Sequence, residues 1–249
     1  MNRFALFFAP ILVAPLTLSS ACSSSTTPAA TGDAAAADGP TDAGSGTQCT
    51  SARDKLLGPI AQVATGEVLV LSDSGGVKTI YVDASVGGSM RAASSPRVYV
   101  NLAEGKRVDV SDKAAFESTE WDLALKRTVI YTNSGEGGPG QGGAARVNKP
   151  FASVTAADAD AAEIVPEQFF DESCTALPEP LGGPATTFMD WYDYDQATNI
   201  PTPRAVTYIV KGADGTRYKV GIKANDALAD GGSRNMMATA FYLLQVSAL

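Results

Sequence analysis

Apolar and polar residues alternate with a period of two through much of the chain after residue 66. Residues 67–71 and 77–82 are rich in β-branched and other apolar residues and are strand-like, on either side of a Ser-Asp-Ser-Gly-Gly segment. Residues 97–102 and 106–110 form a second such pair, separated by a turn that contains Glu104 and Gly105. Because successive side chains of a strand point to opposite faces of a sheet, each pair predicts an antiparallel hairpin with one buried face.

A longer alternation runs through residues 120–131 and predicts one half-buried strand. Its buried face would carry Trp121, Leu123, Leu125, Val129 and Tyr131, and its outer face Glu120, Asp122, Ala124, Lys126 and Thr128. Residues 204–224 predict a hairpin around the turn Gly212-Ala-Asp-Gly215, and residues 238–246 predict a further strand that pairs with it.

Helical periodicity is weak throughout. Residues 155–164 predict a short helix that ends before Pro166, and residues 111–118 predict a turn or two of helix. The fold class is therefore expected to be mainly β: a single antiparallel sandwich or barrel-like domain with long loops, over residues 49–249.

The N-terminal segment predicts where the protein acts. Residues 1–22 hold one basic residue, Arg3, then an apolar run, then Leu-Ser-Ser-Ala-Cys, which is similar to a bacterial lipobox. We expect residues 1–21 to be a lipoprotein signal peptide and Cys22 to carry the lipid, palmitate included. The alternative is a signal peptide without lipidation, cut near Ala21. Either way the protein is expected in the bacterial cell envelope, and with lipid in the outer membrane, on its periplasmic or surface face.

Residues 22–48 predict a disordered tether. The segment after Cys22 has no aromatic residue, no Leu, Ile or Val, and no basic residue, so it cannot bury enough apolar surface to offset chain entropy. The mature chain would hold 18 basic and 27 acidic residues, a net charge of −9. Such a charge argues against nucleic acid as a partner and leaves the lipid as the only expected contact with a membrane.

The sequence contains no histidine, which removes the Ser-His-Asp and Cys-His arrangements of hydrolases. No pair of acids forms a convincing acid–base site, so we expect a protein that is not an enzyme. Cys49 and Cys174 remain after Cys22, and in an oxidising compartment they predict a disulfide. A free buried thiol or metal ligation are the alternatives, and no metal-ion site is expected here, because two isolated cysteines without histidine do not make a zinc site.

Two further segments have open interpretations. The Gly-rich stretch 132–143 lacks the Gly-Lys-Ser/Thr ending of a phosphate loop, so it is either a mobile loop or backbone that lies against a flat ligand. Asp190, Asp193, Asp195 and Asn199 predict a solvated acidic turn, with calcium binding as the less favoured alternative.

Residues 120–135 (EWDLALKRTVIYTNSG) and the Gly-rich stretch that follows resemble the W-D-[LI]-A…R…T-N-x-G pattern of the HmuY family. Residues 191–195 (WYDYD) and 203–222 (PRAVTYIVKGADGTRYKVGI) are similar to that family's second motif, from W-Y-x-Y to K-[LV]-x-I. The resemblance implies an all-β bacterial surface lipoprotein. Its characterised members bind haem between two axial side chains, either histidines or methionines.

The resemblance makes haem or a related porphyrin the expected ligand, and a haem-carrying protein a possible partner. Where many members carry histidine this chain has Asn199, so the iron ligands would be methionine or tyrosine. The candidates are Met189, Met236, Met237, Tyr192 and Tyr194, with Met90 a further methionine. Trp121 and Trp191 are candidates for the pocket wall, and Tyr208 is another aromatic residue that either lines a pocket or fills the core. The alternative function is a surface interaction or structural lipoprotein of the same fold that does not bind haem.

Overall fold

The computed structural model describes residues 49–177, 179, 182–234 and 238–249. The signal peptide and tether predicted for residues 1–48, with Cys22, lie outside the described residues. The described part is mainly strand, with the bounds β1 (Val68–Ser74), β2 (Val77–Asp83), β3 (Val98–Asn101), β4 (Lys106–Val108), β5 (Leu123–Lys126), β6 (Val129–Thr132), β7 (Gly143–Val147), β8 (Tyr192–Asp195), β9 (Ile200–Pro203), β10 (Thr207–Lys211), β11 (Arg217–Ala224) and β12 (Phe241–Ala248).

The helices are short, and capping interactions mark the end of one and the start of another. They are α1 (Thr50–Leu57), α2 (Asp112–Ala115) and α3 (Ala156–Asp160), with 3-10 turns at Ser89–Ser94 and Phe151–Ser153. Helix α1 ends at Gly58, whose left-handed backbone lets its N–H donate to the Asp54 carbonyl. Helix α3 begins with a capping box, in which Thr155 and Asp158 satisfy each other's backbone N–H groups.

The strands form an antiparallel sandwich, as predicted. The larger sheet has the order β1-β2-β12-β11-β10-β7, a second sheet has the order β4-β3-β5-β6, and β8 and β9 form a separate hairpin. Each named pair is antiparallel. The larger sheet is open, with β1 and β7 at its edges, so it does not close on itself.

Apolar clusters cover both faces of the four-stranded sheet. Leu123, Leu125 and Ile130 pack into the main core, together with residues of the larger sheet such as Val210 and Leu244. The other face carries a second cluster that holds Tyr99, Ala124, Tyr131, Trp121 and the buried ends of the loops, Leu57 and Phe169 among them. The four-stranded sheet is therefore the middle layer of three, and neither face of β5 is open to solvent along Leu123–Leu125.

Most predicted hairpins are confirmed. Strands β1 and β2 pair through a turn at Gly75-Gly76, β3 pairs with β4, and β10 pairs with β11. The C-terminal strand β12 pairs with β11, as expected, and also with β2. It thereby joins the two hairpins into one sheet, a partnership that the sequence did not predict.

The single long strand predicted for residues 120–131 is wrong. The chain reverses at Arg127, whose φ of 54° is left-handed, and β5 pairs with β6 from Lys126 opposite Val129 onwards. A two-residue reversal places partners such as Leu125 and Ile130 on the same face, so the predicted alternation does not continue through the turn. Asp122 and Ala124, predicted to face solvent, are buried.

The Gly-rich stretch is a loop after β6, and it packs closely on the protein. The Asn133 side chain donates to the Trp121 carbonyl (2.8 Å) and accepts from the Gly140 N–H (2.9 Å). A Cβ atom at Gly138 would collide with the Asn133 amide oxygen and lie 2.8 Å from the Trp121 ring. Glycine is thus required here for an approach to the protein's own side chains rather than to a flat ligand.

Three buried carboxylates bind the loops that surround the four-stranded sheet. Asp112 accepts from the N–H groups of Ile60 and Arg97 and pairs with the Arg97 guanidinium (3.1 Å). Asp122 accepts from the N–H groups of Leu102 (2.7 Å) and Ala213 (2.9 Å), which lie far apart in sequence. Burial raises the pKa of Asp122, against the effect of these two donors. Each carboxylate therefore satisfies backbone groups that the sheets leave unpaired.

Glu167 is the third buried carboxylate and is 2% exposed. Oε1 accepts from the Thr132 N–H (2.8 Å) and from the hydroxyls of Thr132 (3.0 Å) and Thr187 (2.6 Å), whereas Oε2 accepts from the Thr187 N–H (2.9 Å). Burial raises the pKa of Glu167, and the hydrogen bonds oppose that shift. This side chain joins strand β6 to the segment that precedes β8.

The disulfide predicted between Cys49 and Cys174 is confirmed. It joins residues 125 apart in sequence, with Cα atoms 5.3 Å apart. The bond attaches the start of helix α1 to the loop that carries Phe169 and Phe170, both in the second cluster.

No helix within the described ranges is both long and apolar enough to cross a membrane.

The Cys49→Ser, Cys174→Ser double variant should lose about 4 kcal/mol of unfolding free energy, because a loop of this length would no longer be closed in the unfolded chain. Urea unfolding followed by circular dichroism measures the loss. Limited proteolysis should cut first around helix α1, which the bond secures. An unchanged urea midpoint would contradict a stabilising role for the disulfide.

Replacement of Glu167 by Gln should cost about 1–3 kcal/mol of unfolding free energy. The carboxylate accepts hydrogen bonds from the backbone N–H groups of Thr132 and Thr187, one on each oxygen. The NH₂ of a glutamine must face one of these two N–H groups, so that buried donor loses its acceptor. Glu163→Gln is the matched control, since Glu163 is exposed and the change should stay within about 0.5 kcal/mol. Equal unfolding midpoints for the two variants would contradict the assigned role of Glu167.

Candidate functional site: an aromatic cleft

A cleft of about 390 Å³ lies beside the β8–β9 hairpin, which is within the range of small-molecule sites. One side of its lining comes from a continuous stretch of chain, residues 186–196, and from Arg204. The rest comes from Thr128 and Val129 at the β5–β6 turn and from Glu179, Gly183 and Pro184. We call this site the aromatic cleft, because its lining includes Phe188, Trp191, Tyr192 and Tyr194.

Buried hydrogen bonds fix the floor of the aromatic cleft. The Trp191 indole N–H donates to the Thr128 carbonyl (2.9 Å), which ties the β8–β9 hairpin to the β5–β6 turn. The Tyr208 hydroxyl lies within hydrogen-bond distance of the carbonyls of Phe188 (3.2 Å) and Met189 (3.0 Å), and its ring stacks on Phe188 with centroids 4.2 Å apart. The backbone around Met189 is therefore set from strand β10.

The aromatic rings contact one another in a chain along the cleft. Trp191 and Tyr192 have ring centroids 4.6 Å apart, and Tyr192 and Tyr194 are 6.5 Å apart and nearly perpendicular. Tyr192 and Tyr194 are two residues apart on strand β8, so their side chains lie on the same face of that strand. The result is an apolar surface with a few polar tips, which suits a flat, largely apolar ligand.

Charges around the aromatic cleft are mostly paired. Asp190 accepts from Arg146 (3.0 Å) and lies 3.5 Å from the Arg204 guanidinium, which also donates to Asp193 (2.7 Å). Glu179 accepts from the Gly183 N–H (2.9 Å). These exposed ion pairs add little stability, but they leave no concentration of negative charge in the cleft to oppose an anionic ligand.

Three of the sequence-derived ligand candidates meet in this cleft: Met189, Tyr192 and Tyr194. Met189 lines the cleft and is 39% exposed as a residue. The Tyr194 hydroxyl donates to the Asn199 side chain (2.7 Å). Burial raises the pKa of Tyr192, which disfavours the phenolate that would bind iron. Among the three, Met189 has the donor atom best suited to iron.

The other candidates are placed elsewhere or lie outside the described residues. Trp121 is fully buried in the second cluster, with its indole N–H on the Ala115 carbonyl (3.1 Å), so the structure does not place it in a pocket wall. Met90 is 96% exposed on a 3-10 turn and lines no part of the aromatic cleft. Tyr208 lies beneath the cleft, in the core. Met236 and Met237 fall outside the described residues.

The acidic segment after Trp191 forms strands β8 and β9 and their turn. Asp195 accepts from the Ala197 N–H (2.8 Å) and the Thr198 hydroxyl (2.8 Å), and Asn199 has the left-handed backbone (φ 58°) that closes the turn. Hydrogen bonding to these groups lowers the pKa of Asp195. Among the described residues no group of three or more His, Cys, Asp or Glu side chains could hold a metal ion.

Sequence reasoning missed the supports of the site. Thr128, Pro184 and Phe188 line the cleft from segments with no distinguishing motif, and Glu167 acts on it only through Thr187. The one available signal was Glu167 itself, an acid between apolar neighbours in the sequence Val-Pro-Glu-Gln-Phe-Phe.

Comparisons with known proteins give one family and several solved structures of similar fold. No curated protein matches the chain. A candidate lipoprotein from Bacteroides fragilis NCTC 9343 aligns with a TM-score of 0.44 and 16% identity, over 73% of this chain and 94% of its own. A candidate HmuY-like haem-binding protein from Bacteroides vulgatus ATCC 8482 gives 0.43 and 18%, over 73% and 96%. The apo HmuY analogue of Tannerella forsythia gives 0.43 and 14%, over 69% and 95%.

The family model described as HmuY protein matches residues 94–241, which is more than half of the chain. The match begins just before strand β3 and includes the β5–β6 turn, the aromatic cleft and the β10–β11 hairpin. The chain therefore belongs to the HmuY family.

Proposed function

We propose that this protein binds haem or a related porphyrin in the aromatic cleft, without catalysis, as a lipid-anchored lipoprotein of the bacterial cell envelope. The observation that carries the proposal is the meeting of Tyr192, Tyr194 and the partly exposed Met189 in one cleft, above the buried rings of Phe188 and Trp191. Membership in the HmuY family makes haem the expected flat ligand.

The residues present fit a metalloporphyrin in part. The rings of Tyr192 and Tyr194 would contact the macrocycle, and the thioether of Met189 would bind the iron, as methionine does in other haem proteins. The other described lining residues include no sulfur, imidazole or further phenol. Within the described cleft Met189 would thus be the single strong iron ligand, and Met236 or Met237 would be the sources of a second one. Bound haem would supply the iron atom to which the methionine sulfur binds.

The location of the protein follows from its N-terminus. Acylation of Cys22 would hold the domain at the outer membrane through the tether of residues 22–48. A domain held there would take haem from solution or from a haem-carrying protein. Cys49, at the start of the domain, is joined to Cys174, so the tether would meet a domain whose first helix is covalently secured.

A second candidate function is a surface interaction or structural lipoprotein that keeps the family fold and does not bind haem. The sequence favours it in one respect, because 249 residues without a single histidine remove the commonest haem ligand. The titration below decides between the two functions.

The full chain with Cys22→Ser, which removes the predicted acylation, should shift the Soret band of both oxidised and reduced haem in a saturable way. Met189→Leu conserves side-chain volume and removes the sulfur, so the fold should persist. Affinity for reduced haem should then fall about tenfold, which corresponds to ~1.4 kcal/mol. The spectrum should change to that of iron without a thioether ligand.

Met90→Leu is the matched control, because the same chemical change at an exposed site outside the cleft should leave the titration as in the parent protein. A saturable shift that is equal in Met189→Leu would assign the iron ligand elsewhere, to be sought with Met236→Leu and Met237→Leu. No shift at all would reject haem binding and favour the second candidate function.

A further inference from the structure

A second recess lies beside the aromatic cleft, on the other side of the β5–β6 turn. Its volume is about 380 Å³. Apolar side chains form most of its wall: Leu56, Leu57, Ala92, Ala93, Val129 and Pro184. Its charged lining residues are all basic: Lys55, Arg97, Lys126 and Arg127. We call it the basic recess.

The two arginines of the basic recess are already engaged by the protein. Arg97 donates to Asp112 (3.1 Å) and to the Leu57 carbonyl (2.8 Å). Arg127 donates to the Thr239 carbonyl (3.3 Å) and hydroxyl (3.2 Å). The two arginines therefore stabilise the recess, and their guanidinium groups are less available to a ligand than the lysine ammonium groups.

The two lysines are different. Neither Lys55 nor Lys126 makes an ion pair or a side-chain hydrogen bond with any residue of the described ranges. Lys55 is exposed on helix α1, whereas Lys126 is half-buried in β5. Burial lowers the pKa of Lys126, with the nearby Arg97 acting in the same direction and the Asp112 carboxylate opposing them. Asp112 is itself paired with Arg97. A half-buried ammonium with no ion-pair partner among the described residues is a costly arrangement, and an anionic ligand would relieve the cost.

The basic recess and the aromatic cleft share a wall. Val129 and Pro184 line both, and Lys126 is the direct cross-strand partner of Val129. At the turn between these two residues, Arg127 lines the recess and Thr128 lines the cleft. One ligand with an apolar body and an anionic arm would therefore reach both sites across this turn.

The turn itself is held firmly. The Trp191 indole donates to the Thr128 carbonyl (2.9 Å), and the Tyr242 hydroxyl donates to the Arg127 carbonyl (2.6 Å). Both aromatic residues are buried, so the turn is fixed from the core side. A fixed turn keeps the backbone of Lys126 at a constant position relative to the aromatic cleft, which favours recognition of one ligand shape.

We propose that Lys126 is the anion-binding group of this site and takes a carboxylate arm of the flat ligand whose body lies in the aromatic cleft. The inference rests on the proposed function and adds a selectivity to it. Among flat apolar ligands, the protein would prefer those that carry a carboxylate, as the porphyrin of haem does, over uncharged analogues of the same shape.

The experiment compares protoporphyrin IX with its dimethyl ester, in which both carboxylates are blocked. The full chain with Cys22→Ser should bind the free acid more tightly than the ester. Lys126→Met removes the charge and keeps the length of the side chain, and it should weaken binding of the free acid about tenfold, since hydrogen bonds to charged groups lie in this range. Binding of the ester should be the same with and without the substitution.

Two further variants separate a local effect from a general one. Lys223→Met makes the same change of net charge at an exposed residue that lines neither the cleft nor the recess, and it should leave both affinities unchanged. Lys126→Arg restores a positive charge at the site and should recover most of the lost affinity. Equal weakening by Lys126→Met and Lys223→Met would overturn the proposal in favour of long-range attraction.

Three other outcomes also test the role of Lys126. Free-acid binding that is unchanged in Lys126→Met would overturn the inference and leave the proposed function intact. A fatty acid such as dodecanoate that binds through Lys126 without competing with protoporphyrin would make the recess an independent site, which also overturns it. If the parent protein binds neither porphyrin, the proposed function fails, and that result is distinct from the loss of acid-over-ester preference alone.

Discussion

The fold depends on a four-stranded sheet that is buried on both faces. Strand β5 has no exposed residue between Leu123 and Leu125, so its neighbours on each side must be layers of protein. The larger sheet supplies one layer, and the second consists of helices and loops. Loops cannot satisfy their own buried backbone groups, and a layer made of them needs buried acceptors from elsewhere. Asp112, Asp122 and Glu167 provide these acceptors, each for backbone groups of separate segments.

The need for buried hydrogen-bond acceptors connects the core to the candidate site. Glu167 accepts from Thr132 in the middle layer and from Thr187, which lies between the lining residues Thr186 and Phe188 of the aromatic cleft. Trp191 and Tyr208 fix the cleft as donors instead, to the carbonyls of Thr128 and Met189. The partly exposed rings of Tyr192 and Tyr194 thus stand on a backbone that buried polar contacts fix, and a binding site on such a base needs little reorganisation when a ligand arrives.

The chemistry of the site differs from the commonest form of haem ligation. With no histidine in the chain, the partly exposed Met189 and the aromatic rings around it carry the proposed interaction with a metalloporphyrin. The ammonium of Lys126, which has no ion-pair partner in the part of the chain that the structure describes, would complete the proposed site with a cationic part. An acidic protein thereby offers a local positive charge to an anionic ligand, which its net charge of −8 would otherwise repel.

The sequence by itself determined the features that depend on local pattern or on residue chemistry. Period-two alternation and turn residues predicted the hairpins β1–β2, β3–β4 and β10–β11, and the redox compartment predicted the Cys49–Cys174 bond. The motif around residues 191–195 led to the cleft. Only the tertiary structure decided that Trp191 lines it while Trp121 fills the core, and that Asp122 and Glu167 are buried. Alternation states which residues share a face but not what covers that face, and the covering layer comes from distant parts of the chain.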